Sequence, residues 1–87
     1  MSPLGQVHAT IHFSSAREAC RYLVRTYKAP SGHLLPVTAG ELLPLINREG
    51  FFVTHSDVEA LLRDLAESGE VLEIDPQAGY RWIPSAA

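Results

Sequence analysis

The sequence predicts an α+β domain in which three helices are followed by a β-hairpin, with an additional strand at the N-terminus. Three observations carry this. Ser- or Thr-led capping signals occur at three places, each followed by apolar residues at helical spacing. Residues 6–13 alternate strictly between apolar and polar. Two short strand-like runs near the C-terminus flank a turn containing Pro76 and Gly79.

In the first segment, Val7, Ala9, Ile11 and Phe13 alternate with His8, Thr10 and His12. A period of two predicts a half-buried strand that joins the hairpin sheet. Ser15-Ala16-Arg17-Glu18 then fits a capping box, in which a hydroxyl accepts the N3 amide and the glutamate reaches back to the cap. Helix 1 is expected over Ala16 to Lys28, with Ala16, Ala19, Cys20, Leu23, Val24 and Tyr27 on one arc. Ala29-Pro30-Ser31-Gly32 stops it. Residues 33–37 read as short and extended, at a sheet edge because Pro36 cannot serve a central strand.

Thr38-Ala39-Gly40-Glu41 opens helix 2, expected over Ala39 to Arg48, with Leu42, Leu43, Leu45 and Ile46 inward. Pro44 removes one backbone hydrogen bond and predicts a bend or a short first turn. Gly50 is placed for a left-handed cap, and residues 51–53 form the turn to helix 3. That helix is expected from His55 to Ser68, starting at Thr54-His55-Ser56-Asp57 or, two residues later, at Ser56 with Glu59. Val58, Leu61, Leu62, Leu65 and Ala66 cover about 140° of its circumference. Gly69 ends it. Residues 70–74 and 80–83 are the hairpin strands and residues 75–79 the turn.

Composition bounds the function. The chain has 87 residues, of which 46% are hydrophobic and 20% charged, as in ordinary globular domains rather than disordered or rod-like chains. That length leaves little room for both a core and a buried catalytic cavity, so a non-catalytic module is expected. No apolar run exceeds four residues, too short to cross a bilayer. Residues 1–6 lack the basic start and apolar stretch of a signal peptide, and a lone Cys20 forms no internal disulfide. The expected location is the cytoplasm.

The stretch Val58-Glu59-Ala60-Leu61-Leu62-Arg63-Asp64-Leu65-Ala66-Glu67-Ser68-Gly69-Glu70-Val71 resembles the third helix and first wing strand of the winged helix-turn-helix superfamily, and residues 73–82 resemble a wing. The likeness spans residues 15 to 83 and identifies a superfamily rather than one family; the N-terminal strand is an addition to its minimal pattern. It implies DNA binding, with helix 3 in the major groove and the wing on the backbone or minor groove.

Charge complicates that implication. Ser56, Glu59, Ala60, Arg63 and Glu67 point outward from helix 3, so Arg63 has a glutamate four residues away on each side and is expected to pair with them. The wing sets Glu70, Glu73 and Asp75 against Arg81. Duplex DNA carries a negative charge about every 1.7 Å and repels such a face. Four of the seven basic residues, Arg17, Arg21, Arg25 and Lys28, instead form a stripe about 80° wide on helix 1. Residues 1–33 therefore carry a net +3 and residues 34–87 a net −6, which together make the formal −3 of the chain. A solvated helix face explains the stripe most simply. The functional alternatives are a phosphate-contacting face or a surface for an acidic partner, including a second copy.

Other chemistry is thinly supported. His8 and His12 lie about 13 Å apart along a strand, too far for one metal ion. His33 and His55 fall in separate turns. Cys20 lies on the apolar arc of helix 1 and reads as a small core residue. No phosphate-cradling glycine loop and no nucleophile setting occur, and no cofactor is implied. Tyr80 and Trp82 share one wing face and should pack on helix 3 or helix 1. Phe51 and Phe52 are adjacent, so whichever points outward joins Val7 and Ile11 as a candidate interface.

Two functions survive. The leading expectation is a DNA-binding, transcription-related module that uses Arg17, Arg21, Arg25, Lys28, Arg63 and Arg81. The alternative is a protein-interaction or dimerisation domain that does not bind DNA through its acidic third helix. No membrane and no small-molecule substrate are expected.

Overall fold

The computed structural model describes residues 13–84. Helix α1 spans Ala16–Arg25, α2 Ala39–Arg48 and α3 His55–Glu67; strands β1 (Val71–Asp75) and β2 (Gly79–Trp82) follow. The class is α+β, as the sequence predicts. The N-terminal strand expected over residues 6–13 lies outside the described residues except for Phe13.

Local signals account for the helix starts. Thr38 and Thr54 each accept the N3 amide through the hydroxyl, and Glu41 and Asp57 return the bond to the cap, so two full capping boxes form. Hydrogen bonds from the Thr54 amide and hydroxyl region hold the Asp57 carboxyl below its usual range, the backbone bond contributing most. The first cap differs from expectation. Ser15 Oγ accepts from the Glu18 amide, but the Glu18 carboxylate accepts from the amide and hydroxyl of Ser14 at 3.2 and 2.8 Å. It overshoots the cap by one residue because the Ser14 hydroxyl supplies a second donor.

Helix α1 also ends three residues early. The backbones of Tyr27 and Ala29 pair with Leu35 and His33 (Leu35 N to Tyr27 O 3.0 Å, Ala29 N to His33 O 2.9 Å). The chain turns through Gly32 at φ +93°, and Lys28 bridges Leu34 in an antiparallel sense. Lys28 thus leaves the helix and the basic stripe. The α2 helix, by contrast, runs through Pro44 without interruption. The bond Pro44 cannot donate would reach the Gly40 carbonyl, and both residues are exposed, so water can serve that carbonyl.

The core lies where the three helices and the sheet meet. Cys20 and Val24 of α1, Leu42 and Ile46 of α2, and Val58, Leu62 and Leu65 of α3 are fully buried around Val37. Val71, at the start of β1, completes it. Burial pushes the Cys20 thiol up to about 12, which fits a packing role.

β1 and β2 pair antiparallel, Val71 opposite Trp82 and Glu73 opposite Tyr80, with an irregularity between Glu73 and Asp75. Val37 adds one rung on the far side of β2, exchanging bonds of 2.8 and 2.9 Å with Tyr80. β2 lies one residue earlier than expected and β1 one residue later, because β1 extends to Asp75. Its carboxylate accepts the amides of Gln77 and Ala78 at 2.8 and 2.7 Å and shapes the turn. Gly79 has φ +95°, and a Cβ there would overlap the Val37 carbonyl oxygen, so only glycine fits this close approach.

Among the described residues, no helix is long and apolar enough to cross a membrane.

Candidate binding face

The fold brings three pieces together on one side: the start of α2, the outward face of α3 from His55 to Arg63, and the hairpin around its turn. Between them lies a cleft of about 450 Å³. Thr38, Ala39 and Gly40 form one wall, His55, Glu59 and Arg63 the second, and Glu73, Asp75, Pro76, Gly79 and Tyr80 the third. The capping signals explain this geometry. They set the N-terminal ends of both α2 and α3 at the cleft, where helix dipoles add partial positive charge.

The side chains are weighted the other way. Glu59, Glu73 and Asp75 contribute three carboxylates, against the guanidinium of Arg63 and whatever charge His55 carries. His55 Nδ1 stands 3.9 Å from Glu59 Oε2, both exposed. Among the described residues, none of the three carboxylates forms an ion pair with Lys or Arg. Nor does Arg63 pair with Glu59 or Glu67, contrary to the expectation from their spacing. These chains are exposed, where holding two long side chains together in water gains little. Tyr80, partly buried at the cleft wall, has its phenol raised above the usual range, first by desolvation and then by Glu73.

The basic stripe fares differently. Arg17 Nε donates to Asp64 Oδ2 of α3 at 2.6 Å, and Arg21 Nε donates to Glu70 just ahead of β1. The bond from Arg21 holds the Glu70 carboxyl below its usual range, and Asp64 raises the Arg17 pKa. Arg21 also lies 5.4 Å from the centroid of the Trp82 ring, and Arg25 5.6 Å from that of Tyr22. The first two arginines therefore clamp α1 to α3 and the sheet. Arg81, opposite Leu72 on the outer sheet face, lines a separate hollow with His33, Leu34 and Pro84. Its Nε is buried without a partner among the described residues. The six basic candidates accordingly fall into three groups rather than one face: Arg17 and Arg21 in internal ion pairs, Arg63 in the cleft, and Arg25, Lys28 and Arg81 elsewhere.

Of the apolar candidates, Phe51 packs against the core while Phe52 is 88% exposed. Val7 and Ile11 lie outside the described residues, as do His8 and His12. Among the described residues, no group of three or more His, Cys, Asp or Glu is placed to hold a metal. Sequence reasoning missed Gly40, His55 and Tyr80 as cleft residues. The two threonine capping boxes were the available signal, since they mark where both helices begin.

No family model, curated protein or solved structure matches the chain.

Proposed function

We propose that this chain is a non-catalytic winged-helix module that binds a basic segment of another protein in the cleft between α3 and the hairpin. The observation that carries the reading is the charge of that cleft: Glu59, Glu73 and Asp75 are without Lys or Arg partners among the described residues, beside a single arginine. The winged-helix reading itself draws support from the order of elements and from the Val37 rung beside the hairpin. A Lys- or Arg-bearing peptide relieves the repulsion among the three carboxylates, whereas a phosphate backbone adds to it. Arg17 and Arg21, on which a nucleic-acid face along α1 would depend, are already engaged with Asp64 and Glu70.

A second reading, DNA binding through the same cleft, is favoured by one feature. The helix starts at Gly40 and His55 lie beside Arg63, and backbone amides at a helix start suit a phosphate.

Fluorescence anisotropy separates the two. A labelled Arg-rich peptide is expected to bind at low salt and to weaken as salt rises, while a labelled mixed-sequence duplex does not bind. Duplex binding with a steep salt slope, and no response to the peptide, would reverse the assignment.

A further inference from the structure

Among the described residues, the outer edge of the sheet is open. Tyr80 exchanges its backbone bonds with Val37, and Ile83 N donates to Glu70 O at 2.9 Å. In an antiparallel ladder these bonds alternate, so Val71 and Glu73 turn their N–H and C=O groups away from β2. Among the described residues nothing pairs with that edge. The face beside it exposes apolar side chains around Arg81: Leu72 is 48% exposed, Ile74 40% and Ile83 37%. A bare edge beside exposed apolar side chains is a template for another strand.

We propose that residues 7–12 of a second copy of this chain add as a strand to the β1 edge, making an exchanged dimer. Three observations choose this occupant. First, Val7, Ala9 and Ile11 alternate with His8, Thr10 and His12 over a length close to that of β1. Set with the apolar side next to Leu72, the segment places its histidines beside Glu73. Second, charge disfavours the simplest rival, pairing of β1 with β1 of the second copy. That arrangement gathers Glu70, Glu73 and Asp75 of both chains, whereas residues 1–13 contain no Asp or Glu. Third, the chain enters α1 on a flank other than the one that faces β1. The Phe13 ring centroid is 5.3 Å from that of Tyr22, and Ser14 is tied to Glu18. Tyr22 lies about 100–140° around the helix from Arg21 and Arg17, which face Glu70 and Asp64. Phe13, the first described residue, therefore packs on a different flank of α1 from the one that faces α3 and β1.

The parity of the strand supplies the test. With the added strand antiparallel to β1, its residues on the Glu73 side direct their amides at β1, and those on the Leu72 side direct theirs away. In the full chain, Thr10→Pro removes a ladder donor and Ala9→Pro does not. Light scattering over a concentration series is expected to give a dimer whose dissociation constant rises at least tenfold in Thr10→Pro and in Ile11→Asp, and stays within a few-fold in Ala9→Pro. Circular dichroism verifies that each variant retains its helices. Hydrogen exchange of the Val71 and Glu73 amides should be slow in the dimer and fast on dilution. A monomer at every concentration overturns the proposal. So does a dimer indifferent to Thr10→Pro and Ile11→Asp, an equal loss in Ala9→Pro and Thr10→Pro, or slow exchange at this edge in a monomer, which would give it to the chain's own segment.

Discussion

Helix α1 and the α3–hairpin cleft carry opposite charge, and they use it differently. On α1, Arg17 and Arg21 meet acidic partners 47 and 49 residues away and are occupied within the molecule. In the cleft, the carboxylates of Glu59, Glu73 and Asp75 converge from separate elements without meeting a lysine or arginine among the described residues. The richest run of basic residues along the chain is therefore not the most available charge on the molecule. Whether a charge can serve a partner depends on what folding has already set beside it.

The strongest way to break the comparison is to remove what both regions stand on. Leu62 is fully buried on the inner side of α3, and Leu62→Ala should cost about 2–5 kcal/mol of stability by urea unfolding. Loss of less than about 1 kcal/mol would mean that α3 is not anchored as described. Reversing the cleft comes next. Glu59→Lys combined with Glu73→Lys should weaken binding of an Arg-rich peptide at least tenfold, about 1.4 kcal/mol, with unfolding little changed. An unchanged affinity would move the binding face elsewhere.

Acid titration sharpens the contrast in a different way. The Glu70, Glu18 and Asp57 carboxyls are depressed by hydrogen bonds from Arg21, Ser14 and Thr54 respectively. Groups with lowered folded-state values stabilise the fold above their unfolded values, near pH 4, and lose that contribution as pH falls through the folded ones. Thermal unfolding should therefore shift downward below about pH 4, and Glu70→Gln should flatten part of that acid limb. A limb identical to that of the unsubstituted protein would remove Glu70 from the account.

The smallest effect belongs to Arg17 and Asp64, whose side chains are 41% and 54% exposed. A double-mutant cycle with Arg17→Ala and Asp64→Ala should give a coupling of about 0.2–1 kcal/mol, smaller in high salt. A larger, salt-insensitive coupling would show a pair shielded from solvent.

Local chemistry was readable from the sequence. The threonine boxes at Thr38 and Thr54, the apolar spacing of Val58, Leu62 and Leu65, and the Asp75–Gly79 turn each act within a few residues. The end of α1 was not readable, because it depends on Tyr27 and Ala29 pairing with Leu35 and His33 across a turn. The ion pairs of Arg17 and Arg21 were hidden for the same reason on a longer scale. Adjacency left Phe51 and Phe52 equivalent until the α2–α3 turn put one inside and the other 88% exposed. Individual cleft residues such as Arg63 were legible as outward-facing; their convergence with Tyr80 and Gly40 was not, since three separate elements build it.

Amide chemical-shift mapping tests the central claim most directly. Titrating isotope-labelled protein with an Arg-rich peptide should move the amides of Glu59, Arg63, Glu73 and Tyr80 and leave those of Arg17, Arg21 and Glu70 in place, while a mixed-sequence duplex moves none of them. Shifts centred on α1, or on Gly40 and His55 with the duplex alone, would contradict it.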